Sequence, residues 1–328
     1  MKQFYIKQYE ATDYARWNDF IGQAKNATFL YHRDFIEYHK NRFQDFSLLV
    51  YFKSQLIAVM PANIAGDIVF SHQGLTYGGL VTTDKPKLKT IIEILKEVLF
   101  YLNQKAISKL LIKTIPSIYC TKPADELLYA LFLANAILVR RDSLAVIDLS
   151  QEVVFDRSRK NGIIRGVKNN LEVREENSCN AFWNQVLIPN LKAQHQIEPV
   201  HTVQEMEFLK ANFPGQIRQF NVYNKDVIVA GATIFETDTV AHCQYLSKFE
   251  NGKKLGSLDI LFQHLIYQVF AHKRYFDFGI SNEQNGKLLN DGLSYWKESF
   301  GARTIIQDFY EVQTADFEKL TAIFVIKN

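Results

Sequence analysis

Hydrophobic positions in the first half of the chain follow both helical and strand spacing. Apolar residues recur every three or four positions within Lys87–Gln104, which predicts an amphipathic helix. Alternating apolar residues on either side of a Lys53-Ser54-Gln55 turn predict a β-hairpin. Further helices are predicted at 14–24, 31–40 and 123–136, and further strands at 3–9, 67–72, 108–114 and 138–149.

The second half opens with a basic helix, Phe155–Leu171, and becomes strongly β-like from Gln216. Its predicted strands are 216–223, 227–235, 239–247, 275–278 and 304–312, and its further helices are 179–194, 204–212, 258–272 and 314–323. Because the two halves share an order of elements, the pattern predicts an α+β fold in two domains, 1–150 and 151–311. We expect a mixed, mostly antiparallel sheet in each domain.

Composition narrows the class of protein. The 328 residues are 47% hydrophobic and 22% charged, as in a globular protein with enough apolar material for two cores. The net charge of +3 is too small for bulk nucleic-acid binding, which argues against DNA as a partner. Three widely spaced cysteines fit a reducing compartment, so we expect the cytoplasm. No segment has the apolar character of a signal peptide or the length of a transmembrane helix.

The stretch Tyr275–Ala302 carries the strongest candidate chemistry. A short apolar strand ends in glycine, a polar loop with Ser281 and Asn282 follows, and Trp296 then precedes Lys297. Strand ends that release polar loops are places where α/β sheets bind ligands. On spacing alone, an ordinary strand–loop–helix with a solvated lysine is an equal alternative.

A second candidate segment contains His72 and the run Tyr77-Gly78-Gly79. Glycine permits positive φ or the close approach of a ligand, and a simple strand-end turn would use it in the same way. His72 is a candidate general base because imidazole can accept a proton near neutral pH. A hydrogen-bonded structural histidine is the alternative.

A third candidate segment is a basic, glycine-bearing loop between a strand and a helix, formed by Lys253, Lys254, Gly256 and Ser257. Backbone N–H groups at the start of a helix bind phosphate without particular side chains. A turn capped by Ser257 is the alternative.

The basic helix at the start of the second half is a fourth candidate, since its cations, Arg157 and Arg165 among them, greatly outnumber its acids. Guanidinium groups suit phosphate because they form bidentate charged hydrogen bonds, although charge runs are usually solvated faces. The segment with His195 and His201 is not expected to bind metal, because Pro199 prevents one helical face from presenting both histidines.

The pattern FDFG, loop, GLSYWKESFG resembles the C-terminal core of the FemABX family. These proteins are tandem GNAT-fold (acyl-CoA N-acyltransferase fold) aminoacyltransferases that extend peptidoglycan-precursor peptides. The order of landmarks agrees over nearly the whole chain, which implies two GNAT-like domains and a C-terminal tail, 312–328, that packs back on the first. His39 or Lys40 stands where the peptidoglycan branch has a phosphate-contacting lysine, so the resemblance does not extend to a nucleotide-linked muropeptide acceptor.

The resemblance implies roles for the candidate residues. Lys297 matches a family lysine beside an aromatic residue and is expected to stabilise an oxyanion or a donor phosphate, with His72 as the candidate base. Substrate-binding roles are expected for Tyr77, Gly78, Gly79, Ser281, Asn282, Trp296, Arg157 and Arg165. Lys253, Lys254, Gly256 and Ser257 occupy the position of the GNAT pyrophosphate loop.

The resemblance therefore implies an N-acyltransferase that moves an acyl or aminoacyl group directly to an amine, without a covalent enzyme intermediate. The donor would be acyl-CoA or aminoacyl-tRNA, used as a substrate rather than as a tightly bound cofactor. The acceptor would be a small-molecule or lipid-linked amine of a cell-envelope or glycan precursor, which leaves peripheral membrane contact open. A catalytically silent binding module with the same fold is the alternative.

Overall fold

The computed structural model describes residues 4–249 and 252–323, apart from the side chains of residues 194, 195 and 253. The described residues form two compact units. Unit 1 holds 4–142, 285–287 and 306–323, and unit 2 holds 143–249, 252–284 and 288–305. The predicted domain boundary near Ser150 remains a proposal, because compactness does not show where the chain divides into parts that fold independently.

The strands are β1 (Phe4–Gln8), β2 (Gln44–Asp45), β3 (Leu48–Phe52), β4 (Gln55–Met60), β5 (Asn63–Ala65), β6 (Ile68–Phe70), β7 (Val81–Thr82), β8 (Lys109–Lys113), β9 (Ile137–Asp148), β10 (Leu171–Glu176), β11 (Ile217–Asn224), β12 (Val227–Glu236), β13 (Val240–Lys248), β14 (Tyr275–Ile280), β15 (Asn282–Glu283), β16 (Leu288–Leu289) and β17 (Arg303–Gln313). The α-helices are α1 (Tyr14–Ile21), α2 (Arg33–Ile36), α3 (Leu88–Gln104), α4 (Glu126–Leu133), α5 (Arg157–Lys168), α6 (Asn180–Phe182), α7 (Ile188–His195), α8 (Val203–Asn212), α9 (Gly252–Leu255), α10 (Ser257–His264) and α11 (Asp291–Glu298).

Unit 1 contains two runs of hydrogen-bonded strands. The first has the order β1-β3-β4-β7 and is antiparallel throughout. The second has the order β17-β8-β6-β5-β2, in which the β6–β8 pair is parallel and the other pairs are antiparallel. Helix α3 buries its apolar stripe in the core of this unit, and the 3₁₀ segment Thr314–Leu320 also packs against α3.

Unit 2 has a single run of strands in the order β10-β11-β12-β13-β14-β9. All of its pairs are antiparallel except β13–β14, whose ladder ends at the pair His242↔Asp277. Its core contains a cluster of aromatic rings from β14, α10 and α11. Together, the two units confirm the α+β class and the mostly antiparallel sheets that the sequence predicts.

Glycines allow helices α5 and α10 of unit 2 to approach closely. A side chain at Gly162 of α5 would place its Cβ 2.2 Å from Cγ of Asp259. Gly256, which precedes α10, adopts φ +79° and leaves no room for a Cβ beside the carbonyl oxygen of Gly162, 2.1 Å away. Any larger residue at these two positions would force the helices apart.

Several elements differ from those expected. The predicted helix Phe155–Leu171 ends at Lys168, and the chain continues as strand β10, which pairs along its whole length with β11. A π-helical turn, Trp183–Leu187, joins α6 to α7 and brings Pro189 near the start of α7, where its missing N–H is tolerated. The helix predicted at the C-terminal end is a 3₁₀ segment.

Gly78 has a packing role in unit 1. Its N–H donates to the carbonyl of Lys113 at 2.7 Å, and a Cβ would lie 1.8 Å from the backbone oxygen of Ser71. The obstacle is backbone, so no rotamer change could relieve the clash.

We expect Gly78→Ala to lower the free energy of unfolding by about 2 kcal/mol or more, because the two chain segments must separate. Urea denaturation of the whole chain measures the change. Gly215→Ala, which would meet no atom within 4 Å, is the matched control and should change stability by less than about 0.5 kcal/mol. An unchanged stability for Gly78→Ala would show that packing does not require glycine there.

Candidate functional site in unit 2

The candidate site lies at the end of strand β14, where its ladder with β13 stops. Gly279 adopts φ +74°, a left-handed conformation that favours glycine, and lies where the β14–β9 ladder shifts register between Asp277 and Ile280. The carbonyl groups of Gly279 and Ile280 are therefore not committed to the parallel ladder and can accept hydrogen bonds from side chains.

Asp277 ties this turn to the neighbouring strand. Its side chain is fully buried, and one carboxylate oxygen accepts from the N–H of Gly279 at 2.6 Å. The other lies 3.0 Å from Nδ1 of His242 on β13. Because both oxygens are engaged by protein groups, the buried carboxylate holds the strand end and the glycine turn in one geometry.

Lys297 reaches the same turn from helix α11. The side chain of Asn290 caps the helix by accepting from the N–H of Leu293 at 3.0 Å. Lys297 is only 3% exposed, and its Nζ donates to the carbonyl oxygens of Gly279 at 3.0 Å and Ile280 at 2.5 Å. Burial lowers the pKa of Lys297 to about 8, although Asp277 acts in the opposite direction.

One hydrogen of Lys297 remains available. An ammonium has three N–H donors, and only two have acceptors within the described part of the chain. The hydroxyl of Ser281, which follows Ile280 directly, is also buried and has no hydrogen-bond partner there. Buried polar groups of this kind are uncommon, and they mark a place where a ligand atom could complete the hydrogen bonding.

The other residues predicted near Lys297 serve the fold. The side-chain oxygen of Asn282 accepts from the N–H of Ser143 at 2.7 Å. Trp296 is half-buried and packs edge-on against Phe262, Phe278 and Phe300. These contacts fix α11 on the core of unit 2, so that Lys297 is held rigidly.

A separate cavity of about 470 Å³ lies in unit 1. Its lining includes Ser71, His72, Gln73, Lys113, Arg140 and Phe309. The Nζ of Lys113 donates to the carbonyl of Leu75 at 2.6 Å, and burial lowers its pKa to about 8. Arg140 forms a bidentate pair with Asp142 and lies 4.5 Å from the ring centroid of Phe309. The cavity therefore presents two cationic side chains and two phenylalanine rings, those of Phe70 and Phe309.

His72 lines this cavity but is not suited to general-base catalysis. Its ring stacks on that of His39 at 4.8 Å, and its Nδ1 accepts from the N–H of Gly74 at 3.2 Å. Burial lowers its pKa to about 3, and the electrostatic effects of His39, Arg33 and Lys113 act in the same direction. A base with so low a pKa has little driving force to take a proton from an amine.

The segment Tyr77-Gly78-Gly79 is not among the residues that line the described cavity. Tyr77 is buried, and its hydroxyl lies 2.8 Å from Oγ1 of Thr28. Gly78 is required for close packing, and Gly79 adopts φ +97°. Each of the three thus has a structural function, and their predicted role in substrate binding is left without support from this geometry.

The predicted phosphate loop is closely packed. The N–H of Gly256 donates to the carbonyl of Gly252 at 3.0 Å, and the hydroxyl of Ser257 donates to the same oxygen at 3.1 Å. Lys254 is exposed, whereas the side chain of Lys253 lies outside the described residues. Helix α5 packs directly against Gly256, and the Gly256 amide already donates to Gly252 within the loop.

The structure thus assembles only some of the residues that the sequence predicts. Lys297 and Ser281 lie at one strand end, while Arg157 and Arg165 are exposed on α5. Sequence reasoning missed Asp277 and His242. A charged residue inside the apolar run Tyr275–Phe278 was a signal for Asp277, whereas nothing in the sequence connects His242 with it.

Among the residues that the structure describes, no cluster of three or more His, Cys, Asp or Glu side chains could hold a metal ion. Within the same residues, no helix combines the length and apolar character needed to cross a bilayer.

Comparisons with known proteins identify the fold. No family model matches the sequence, and no curated protein matches it significantly. Among solved structures, FemX superposes with a TM-score of 0.65 at 9% identity, covering 96% of this chain and 99% of that chain. The L-PGS from Bacillus licheniformis gives 0.55 at 12% identity, covering 82% and 84%. A tandem GNAT protein from the clavulanic acid biosynthesis pathway gives 0.53 at 10%, covering 95% and 98%.

At sequence identities this low, the structural superpositions establish a shared fold and leave the reaction open. The agreement with FemX and with the tandem GNAT protein extends over almost the full length of each chain. The predicted resemblance is therefore confirmed at the level of architecture: this chain has the FemABX-like tandem GNAT fold.

Proposed function

We propose that the protein is an N-acyltransferase that moves an acyl or aminoacyl group to an amine. The observation that carries the proposal is the buried ammonium of Lys297, which keeps one N–H unused at the strand end that Ser281, with its unpartnered hydroxyl, directly follows. An ammonium N–H held by the fold and a nearby hydroxyl would suit a carbonyl oxygen that gains charge during acyl transfer. The fold that the chain shares with FemX and with the tandem GNAT protein supports a transferase reaction of this type.

In the proposed reaction, the amine attacks the carbonyl carbon of a thioester or of an aminoacyl ester. The carbonyl oxygen becomes an oxyanion, which the third N–H of Lys297 stabilises together with the hydroxyl of Ser281. Collapse of this intermediate breaks the bond to the thiolate or to the ribose oxygen, and the leaving group takes up the proton that the amine loses. Because His72 is a poor base, we assign this proton transfer to no side chain.

The cysteines support direct transfer without a covalent enzyme intermediate. Burial raises the pKa of Cys120, Cys179 and Cys243 to about 12 in each case. Their thiols are therefore protonated at neutral pH and are weak nucleophiles. Acyl-CoA and aminoacyl-tRNA both remain as donors, each bound as a substrate rather than as a tightly held cofactor.

For the acceptor we propose an amine that also carries a carboxylate or phosphate group, as precursors of the cell envelope or of glycans do. The cavity in unit 1 supports this choice, because Lys113 and Arg140 are its charged lining residues. Lys113 donates one hydrogen bond to the backbone and keeps further N–H groups for an anion. A cytoplasmic location fits these precursors and the three unpaired cysteines.

A catalytically silent module with the same fold is the second candidate. Such a module would need pockets that bind a ligand, but it would not need the unused N–H donor of Lys297. Thermal-shift measurements with CoA thioesters, aminoacyl-tRNA analogues and UDP-sugars, followed by transfer assays with the donors that bind, separate the two. Binding without transfer for every amine tested would favour the silent module.

Lys297→Met should lower kcat by about a hundredfold or more with little change in KM, because the lost donor acts mainly in the transition state. Steady-state kinetics with the donor that supports transfer provide the measurement. Lys287→Met, at an exposed position, is the control and should leave both constants unchanged. If Lys297→Met raises KM and leaves kcat intact, the lysine binds substrate and does not stabilise the transition state.

The pH dependence of kcat/KM should show a descending limb with a midpoint near pH 8, because Lys297 of the free enzyme is protonated below its pKa and neutral above it. The Lys297→Arg variant should lack this limb even if its rate is low, since arginine stays charged. Wild-type and variant profiles that descend at the same pH would assign the limb to another group.

Lys113→Met should raise KM for an anionic acceptor by about tenfold, because a charge-assisted hydrogen bond is lost, while kcat should change little. The same variant should reduce the thermal stabilisation that the acceptor produces. Lys105→Gln, which removes an exposed charge of unit 1, is the control. An unchanged KM would place the acceptor elsewhere.

A further inference from the structure

Helix α5 of unit 2 presents an outer face on the side opposite to its close contact with α10. Its inner face is defined by the buried Gly162 and Gly166. Residues half a turn away point outward, because side chains repeat every 3.6 positions. This outer face includes the polar Asn161 and six further residues, Arg157, Lys160, Ile164, Arg165, Val167 and Lys168, all of which are exposed.

The cations of the outer face are not neutralised by the protein. Within the described residues, Arg157, Lys160, Arg165 and Lys168 form no ion pair with a carboxylate. By contrast, Arg159, on the inner side of α5, pairs with the buried Asp259 at 2.7 Å. Arg165 influences Asp259 only as a more distant charge. The face therefore carries a positive field into the solvent, with Asp156 at the N-cap as the acidic residue closest in sequence.

Two aliphatic side chains lie among these cations. Ile164 is 52% exposed and Val167 is 61% exposed, and the two are neighbours at a spacing of three residues. Exposing these aliphatic side chains to water is unfavourable, and both of them lie on the same face as the unpaired charges. A phosphate backbone offers no partner for aliphatic side chains, and the outer face has no aromatic ring on which a base could stack.

A bilayer that contains anionic lipids offers partners for both the unpaired cations and the exposed aliphatic side chains of the outer face. Phosphate headgroups attract lysine and arginine, while aliphatic side chains on the same face can enter the boundary between headgroups and acyl chains. We propose that the outer face of α5 docks unit 2 on an anionic membrane surface. This inference does not depend on the acyl-transfer reaction.

The packing of α5 makes this surface ready for binding. Gly162 and Gly166 allow the helix to lie directly on α10, and Gly256 allows the preceding loop to do the same. The six outward side chains are therefore presented by a helix that is already folded, so docking would not have to supply the free energy of helix formation.

Co-sedimentation of the full chain with vesicles tests the proposal. We expect binding to vesicles of phosphatidylcholine with phosphatidylglycerol, little binding to phosphatidylcholine alone, and weaker binding at high salt because exposed charges are screened. Absence of binding to the anionic vesicles at low salt would overturn the proposal.

Two variants identify the surface. Arg157→Gln/Lys160→Gln/Arg165→Gln/Lys168→Gln should weaken vesicle binding by about fivefold for each charge removed. Ile164→Ser/Val167→Ser, which keeps every charge, should weaken it by about tenfold. Thermal unfolding should be unchanged in both, because all the altered side chains are exposed.

Matched controls lie elsewhere on the chain. Lys53→Gln/Lys85→Gln/Lys87→Gln/Lys89→Gln removes the same charge from exposed positions of unit 1, and Val200→Ser/Val227→Ser removes two exposed valines of unit 2. If each control weakens binding as much as its α5 counterpart, net charge or general hydrophobicity explains the binding and the proposal fails.

Binding measurements with transfer RNA, alone and in competition with vesicles, test whether the outer face binds RNA instead of a membrane. We expect the Ile164→Ser/Val167→Ser variant to bind vesicles about tenfold more weakly while its binding to transfer RNA is unchanged. If this variant binds vesicles normally, and the four-glutamine variant loses RNA and vesicles together, the face is a general polyanion surface and the membrane proposal is wrong.

Discussion

The burial of the Lys297 ammonium imposes the strictest constraint on unit 2. A charge removed from water is costly unless hydrogen bonds and an opposite charge replace the lost solvent. Here, the carbonyls of Gly279 and Ile280 accept two hydrogen bonds, and the carboxylate of Asp277 favours the charged form. Each of these compensations depends on the exact path of the chain where β14 ends.

Asp277 is the group that holds this path in place. It is fully buried, accepts from the turn through Gly279, and meets His242 on the neighbouring strand at the last pair of the ladder. The same residues thus end the β13–β14 pairing and support the lysine. A site built in this way is preorganised, because its donors are fixed before any ligand arrives.

Two glycines that the sequence suggested as ligand-contacting residues instead allow close packing of the backbone. Gly78 and Gly256 were candidates for contact with a ligand, yet each lies against the backbone of another segment. At Gly256, close packing brings α5 against α10, with the basic and aliphatic side chains of α5 outward. Local sequence cannot distinguish a glycine that admits a ligand from one that admits a neighbouring segment, because both require the missing Cβ.

Sequence alone determined the elements whose signal is local. The apolar stripe of α3, the hairpin of β3 and β4, and the α+β order follow from side-chain periodicity and turn residues, and the motif around Lys297 indicated the fold. Tertiary structure decided what depends on contacts between distant segments. The pairing of β10 with β11, the meeting of His242 with Asp277, and the low pKa of His72 all arise from residues that folding brings together. Burial and hydrogen-bond partners are properties of the packed chain, so the sequence could indicate Lys297 as a candidate residue but not its unused N–H.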